Sequence, residues 1–597
     1  MIRRFFLLIV LPVLLYSSQQ DILTSANKLK LYEKNEWKAL LHYNDSLNIT
    51  DKQFILSKMF SLQHELNATI SGFYDAADNY QDSNNHPQCK FPARLLFITH
   101  ELNLSKQEFP EIYCQDLNTY NVKAPADKIF LTYASENVKN PSSMMGHTFL
   151  KYIGRNYEGR EVSHAITFYT VINSINIFKL AYQNIASGMD GLFALQPYKQ
   201  IVKQYTDKEN RNVWEYQLKL SDYRKKLIYN HIWELKDIKM KYYFASYNCS
   251  TVIYYTLSLA NPKIYDDKKL WVTPLDTVKF LYKYNLIEKS ELLPSDEWLT
   301  KMIEEKLNNN EIDNIKDIVE YKRFNEISKL DFYSLKLLDA FTNIKYKNDD
   351  ITFDEQMSFK ASINKSADNN GNNFDISKYK SPNKIPNERQ IGIGYSNKDK
   401  DEFSKLSFLG ASHLLNDNNS EYFGESELKI GYLSILANKS NIELEEFTLY
   451  GMKSYIPYDT LTNDLSYQFE ISIKKEYDRD LNGLDTAKID GGFGFDLMLS
   501  HDINIFTIFN TGVGYNKDDS VHILFNPQIG GMIYEILNMK TLLYYQPLFV
   551  NTDKIYNKYV LNHNIFLLKD YKLYFNIEKI HAISESTNYE LGFNKLF

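Results

Sequence analysis

From Arg389 to Phe597 apolar and polar side chains alternate with a period of two, the pattern of an extended chain with one apolar and one polar face. The clearest run sets Leu465, Tyr467, Phe469, Ile471 and Ile473 against Ser466, Gln468, Glu470, Ser472 and Lys474. Similar alternation recurs at Phe493, Phe495, Leu497 and Leu499, at Tyr571, Leu573, Phe575 and Ile577, and at Tyr589, Leu591, Phe593 and Phe597. About twelve such runs are separated by turn residues such as Asn482 with Gly483, Asn516 to Asp519, and Lys569 with Asp570. Long runs in an even number suit an antiparallel membrane barrel, because only a closed sheet satisfies every backbone group in lipid. A soluble β-sandwich also alternates. The length of the runs and the aromatic residue that ends the last one favour the barrel.

The rest of the chain needs more than one further core, since 597 residues exceed what a single domain buries. Arg3 and Arg4, the apolar run Phe5 to Tyr16, and the small residues Ser17 and Ser18 read as an export signal, with the mature chain starting near Ser18. The run is too short for a spanning helix, and no cysteine follows it for lipid attachment. Export places the three cysteines, Cys89, Cys114 and Cys249, in an oxidising compartment. The odd count leaves one thiol over: Cys89 and Cys114 share one polar segment and can close a loop, while Cys249 stands apart. A net charge of −7 without a basic stripe speaks against nucleic acid as a partner.

Residues 20–120 read as a helical region and 121–285 as a compact α+β domain. In that domain β-type runs (Ile129 to Tyr133, Thr148 to Ile153, His164 to Ile172) precede two helices, one behind a Ser221 cap and one starting near Cys249. Residues 286–385 comprise a charged helical stretch and a polar linker, and the barrel occupies 386–597.

Cys249 stands in Tyr247-Asn248-Cys249-Ser250-Thr251, just before the apolar helical run Val252 to Leu259. A thiol in the first turn of a helix meets unpaired N–H groups and the positive end of the helix dipole, both of which favour thiolate. Position alone is weak support, because a lone cysteine beside an apolar helix is usually a small core residue. His147 strengthens the case: a small-residue turn ending in Met145-Gly146 delivers an imidazole to a strand start, and His164 heads the next strand. A thiol nucleophile needs a base, and the base needs a third group to orient it. By residue type alone, either histidine can lie beside the thiol. A zinc site is disfavoured because no paired His or Cys spacing occurs, and neither metal nor cofactor is expected. Gly188 and Gly191 are read as loop glycines that let substrate approach the backbone, or simply as a turn.

These residues carry a resemblance. Ser142-Ser143-Met144-Met145-Gly146-His147-Thr148-Phe149-Leu150, Ser163-His164-Ala165, Arg211 to Tyr216, and Tyr247-Asn248-Cys249-Ser250, in this order, resemble the Lnb N-terminal periplasmic domain family over about residues 120–270. The resemblance implies a circularly permuted papain-like (NlpC-type) domain, similar to lecithin retinol acyltransferase, in which the histidine strands precede the nucleophile helix. It further implies Cys249 as nucleophile, His147 as general base and His164 as the residue orienting the imidazole. The C-terminal Phe597 likewise resembles the assembly signal of outer-membrane barrels.

The family's lipoprotein enzyme moves an acyl chain from a glyceryl ester to an N-terminal amine, so the resemblance implies thiol acyl transfer on lipoprotein or lipid esters at the periplasmic face of the outer membrane. Outer-membrane lipid, lipoproteins and peptidoglycan are the expected partners. That enzyme is anchored by helices, and the barrel here is a departure. Two alternatives stand beside acyl transfer: a peptidoglycan amidase or endopeptidase using the same pair, and a non-enzymatic export or assembly factor whose periplasmic part only binds.

Overall fold

The computed structural model describes residues 18–136, 144–171, 179, 183, 187–244, 246–267, 269, 271–367, 380–399, 401–500 and 502–597. The expected export signal, positions 141–143 of the histidine turn and the middle of the polar linker lie outside the described residues.

Helices of the N-terminal region start where a capping side chain precedes an apolar face. Ser18 caps Gln19–Lys28 through a reciprocal capping box with Asp21, and Ser61 caps Leu62–Gly72. Their buried residues meet Trp37, Phe54 and Phe97, and the same core continues into Tyr152, Tyr255 and Leu257 of the following domain. Arg94 reinforces this junction. Fully buried, it lies 2.9 Å from Glu65 and 3.7 Å from Glu234, which is on the helix Asp222–Leu235.

Cys89 and Cys114 are joined in a disulfide and Cys249 is free, as export and the odd count predict. Removing this bridge by Cys89→Ser with Cys114→Ser is expected to destabilise the N-terminal region by about 2–4 kcal/mol, seen as a lower unfolding midpoint. An unchanged midpoint would show that the core alone holds the region.

Among the described residues the middle domain is a seven-stranded antiparallel sheet in the order β6-β4-β3-β2-β1-β5-β7. The strands are β1 (Lys128–Ala134), β2 (His147–Arg155), β3 (Glu161–Thr170), β4 (Met189–Pro197), β5 (Val213–Leu218), β6 (Met240–Tyr242) and β7 (Ile287–Leu293). The helices Asp222–Leu235 and Cys249–Ala260 follow the histidine strands, the order the sequence predicts. Two expectations change. Ile287–Leu293 belongs to the stretch read as helical, yet pairs as β7 with β5, because an open sheet edge outweighs local propensity. Gly191 lies within β4, not in a loop, and a Cβ there would come within 2.5 Å of the Phe168 ring. Its small size therefore serves sheet packing.

Four helices follow: Asp296–Glu304, Asn309–Glu320, Phe332–Lys347 and Phe353–Ala367. They share a second core, built on Ile303, Ile318, Leu338 and Phe359, which also takes in Leu461 from the barrel.

The C-terminal third closes into the barrel. Among the described residues its runs are numbered β8 (Gln390–Lys398) to β20 (Glu585–Leu596), and β20 pairs back onto β8. Two short runs, β15 (Ser520–Phe525) and β16 (Gln528–Glu535), both lie between β14 (Ile503–Asn516) and β17 (Met539–Val550). They form one stave interrupted at Pro527, which has no N–H for the ladder, so the barrel has twelve staves. Alternation sorts the side chains as predicted. Phe493, Leu499 and Leu591 are 57%, 63% and 59% exposed on the outside, whereas Glu470, Ser472 and Lys572 are buried inside.

Lysines and carboxylates pair across the interior: Lys405 with Glu590 at 3.0 Å, Lys429 with Glu446 at 2.9 Å, Lys488 with Glu476 at 2.8 Å. They surround a polar cavity of about 660 Å³ that reaches Asp399 and Gly483 at the end away from the middle domain. The other end is filled by residues 414–424. Lys540 donates to the carbonyls of Leu415 and Asp417 at 2.7 and 3.2 Å, Lys572 pairs with Asp417 at 2.5 Å, and Leu415 packs on Phe506 and Ile508.

The barrel's base is seated on the middle domain. Arg389, directly before β8, forms a two-pronged pair with Asp276, both contacts at 3.0 Å, and donates through Nε to the carbonyl of Phe597 at 3.1 Å. Asp276 also accepts from the Thr273 N–H at 2.9 Å as part of the capping box that starts the helix Pro274–Lys283. In the next position, the Thr277 hydroxyl meets that of Thr148 at 3.2 Å, one residue after His147.

Candidate active site

The thiol is delivered by a tight turn. Tyr243 and Tyr247 exchange backbone hydrogen bonds of 2.9 and 3.2 Å, and Asn248 then caps the helix, its side chain accepting from the Thr251 N–H at 3.0 Å. Cys249 is the first helical residue, where backbone N–H groups lack partners within the helix. It is buried against an apolar wall that includes Leu150, Ile166, Phe168, Phe193 and Val252.

His147 opens β2 directly after Gly146, whose φ of +81° suits glycine. Its strand partner is Ala134. Arg211 fixes that end of β1 by donating to the Ala134 and Ser135 carbonyls at 3.0 and 2.5 Å. The same guanidinium lies 4.8 Å from the centre of the Tyr205 ring, and Tyr205 and Phe149 pack against the His147 imidazole at 6.1 and 5.9 Å. Arg211 therefore supports both the backbone and one wall of the histidine.

The structure brings Cys249 and His147 together. Burial alone would push the thiol up. The His147 charge and its hydrogen bond, with the Thr148 N–H and the Ser250 hydroxyl, bring it down to about 7. Two aromatic residues that the sequence does not single out complete the surroundings. Tyr242, on β6, reaches both the thiol and the backbone N–H of Cys249, and burial followed by the nearby thiol keeps its phenol well above the ordinary range. It thus remains a neutral O–H donor. Tyr205, also held above its ordinary range chiefly by burial, lies close enough to sense the charge on Cys249.

His164 is placed elsewhere. It sits opposite Tyr152, five positions along β2 from His147, and so lies well along the sheet from the strand end that carries His147. Its Nδ1 is buried without a hydrogen-bond partner among the described residues, and burial lowers its pKa. Seventeen residues of separation, with a turn between them, could not reveal this placement before the register was known. Among the described residues no cluster of three or more His, Cys, Asp or Glu side chains is arranged to hold a metal.

Residues 116–284 match the model of the Lnb N-terminal periplasmic domain. Residues 29–101 and 380–594 match two domains of unknown function, DUF7843 and DUF7840. No curated protein matches the chain. Solved structures similar to the barrel part include the KdgM porin in complex with disordered oligogalacturonate, 11% identical with a TM-score of 0.23, covering 35% of this chain and 99% of that one. The NanC porin is 7% identical with a TM-score of 0.24, covering 35% and 100%. An outer membrane channel from Pseudomonas putida F1 is 12% identical with a TM-score of 0.24, covering 38% and 100%.

The periplasmic domain and the closed barrel with its apolar exterior define an exported envelope protein anchored in the outer membrane. Within that class, residues 116–284, which match the Lnb N-terminal periplasmic domain, stand ahead of a twelve-stave barrel.

Proposed function

We propose that this protein is a thiol acyl-transfer enzyme acting on acyl esters of lipoproteins or lipids at the periplasmic face of the outer membrane. The observation that carries this reading is the Cys249 thiol, drawn to about 7 by His147 at the start of a helix and backed by apolar side chains. The Cys249 thiolate attacks the ester carbonyl and forms a C–S bond. As the C–O bond breaks, His147 passes its proton to the leaving alkoxide. An amine then attacks the thioester, the C–S bond breaks, and His147 takes up the amine proton. The Tyr242 O–H, released from the sulfur once the C–S bond forms, donates to the negative oxygen that develops at each addition.

The barrel supports an ester substrate over a peptide amide. It is seated on the domain through Arg389 and Asp276, which holds the thiol domain beside the inner leaflet, where acyl esters are concentrated without any further contact. Strains with intact Cys249 and with Cys249→Ala should therefore differ in the acylation state of lipoprotein N-termini and not in muropeptide profile. Altered muropeptides with unchanged acylation would defeat this reading in favour of a peptidoglycan amidase or endopeptidase. A surface-export defect with neither change would leave the domain a binding module.

A further inference from the structure

Behind the thiol runs a chain of polar side chains that the proposed reaction does not use. The Tyr247 hydroxyl, two residues before Cys249, meets His42 Nδ1 at 2.5 Å. His42 Nε2 faces His231 Nε2 at 2.9 Å, and His231 Nδ1 faces Glu234 Oε2 at 3.6 Å. The other oxygen of Glu234 accepts the N–H groups of Ala93 and Arg94 at 2.7 and 2.9 Å. Both histidines are fully buried.

The charge beside His231 favours one direction for this chain. Two ring nitrogens that face each other need one N–H and one lone pair between them. The Glu234 carboxylate lies 3.6 Å from His231 Nδ1, beyond hydrogen-bond distance, and its negative charge favours an N–H there over a lone pair, which makes His231 Nε2 the acceptor. His42 must then donate from Nε2, and its Nδ1 accepts from Tyr247. Burial, with His231 and Arg94 nearby, holds His42 well below the ordinary histidine range, in keeping with a neutral ring.

His42 grips both sides of the thiol. Besides holding Tyr247, its ring stacks at 4.5 Å on Tyr255, which lies in the helix that Cys249 begins. Asn48 ties the His42 carbonyl, at 2.7 Å, to the Tyr255 hydroxyl, at 2.9 Å. His42 also has a left-handed backbone, with φ of +48°, a conformation that costs a non-glycine residue free energy and persists only where its surroundings fix it.

We propose that His42, from the N-terminal helical region, is a positioning residue for Cys249 that acts through Tyr247 and Tyr255. This rests on reading Cys249 as the nucleophile. The N-terminal region then forms part of the reactive unit, and its imidazole sets the turn that presents the thiol.

The test uses the full-length protein in detergent and measures the rate of iodoacetamide labelling of Cys249 beside the unfolding midpoint. His42→Leu should slow labelling by roughly tenfold or more, the size expected when a reacting group is displaced by a fraction of an ångström. His42→Gln, which can accept from Tyr247 and donate to His231, should restore most of that loss. Tyr247→Phe, which keeps the ring and removes the hydroxyl, should slow labelling in a folded protein even where His42→Leu does not fold. Wild-type rates in folded Tyr247→Phe, or equal slowing by His42→Gln and His42→Leu, would overturn the proposal. Iodoacetamide does not depend on the physiological substrate, so failure of the acyl-ester reading would leave this result intact. His147→Ala, run in parallel, tests the nucleophile assignment itself.

Discussion

Cys249→Ala is expected to abolish labelling by an acyl-donating thiol probe, and His147→Ala to slow it by roughly 10²- to 10⁴-fold at neutral pH, the usual range for loss of a general base. The double variant should be no worse than Cys249→Ala, because each group works only through the other. The pH profile has a defined sign. Reactivity in the wild type should rise with pH through about 7 as the thiolate forms. Removing His147 takes away the charge and hydrogen bond that lower the thiol and leaves burial, which raises it, so the profile must move to higher pH. Equal rates and superimposable profiles for the wild type and His147→Ala would dissolve the pairing.

The second large effect concerns the seat of the barrel. Asp276 and Arg389 are 4% and 1% exposed, and breaking a buried pair from one side leaves the other charge uncompensated. Arg389→Met is therefore expected to destabilise the seated state by about 3–5 kcal/mol, as for other buried pairs. The readout is earlier melting and faster proteolysis of the periplasmic part, with the heat-resistant electrophoretic mobility of the barrel retained. Asp276→Asn should cost less than Arg389→Met, because an amide still accepts from the Thr273 N–H. An unchanged midpoint for Arg389→Met would show that the apolar contacts of Met144, Trp298 and Leu428 hold the barrel base without it.

The barrel was legible because its signal is local and repeated: Tyr467 faces out and Glu470 in for the same reason that Phe493 faces out and Asp490 in. The Cys249 helix was legible for a similar reason, since a capping asparagine and an apolar run are adjacent in sequence. What escaped depends on pairings between distant segments. β7 reads as a charged helix until the edge of β5 is present to receive it. His164 could not be separated from His147 as the thiol's neighbour until the register put it opposite Tyr152. Tyr242 belongs to a three-residue strand too short to show any period, and nothing in the local pattern of residues 414–424 shows that they fill one end of the barrel.

The contact between Arg389 and Phe597 ties the seating of the periplasmic domain to closure of the barrel. The guanidinium that grips Asp276 is itself held by the carbonyl of Phe597, whose N–H in turn binds the Arg389 carbonyl at 2.9 Å. Those two residues are neighbours only once β20 has zipped onto β8. The docking site for the periplasmic domain is therefore completed at the moment of barrel closure, and an unfinished barrel offers it only in part.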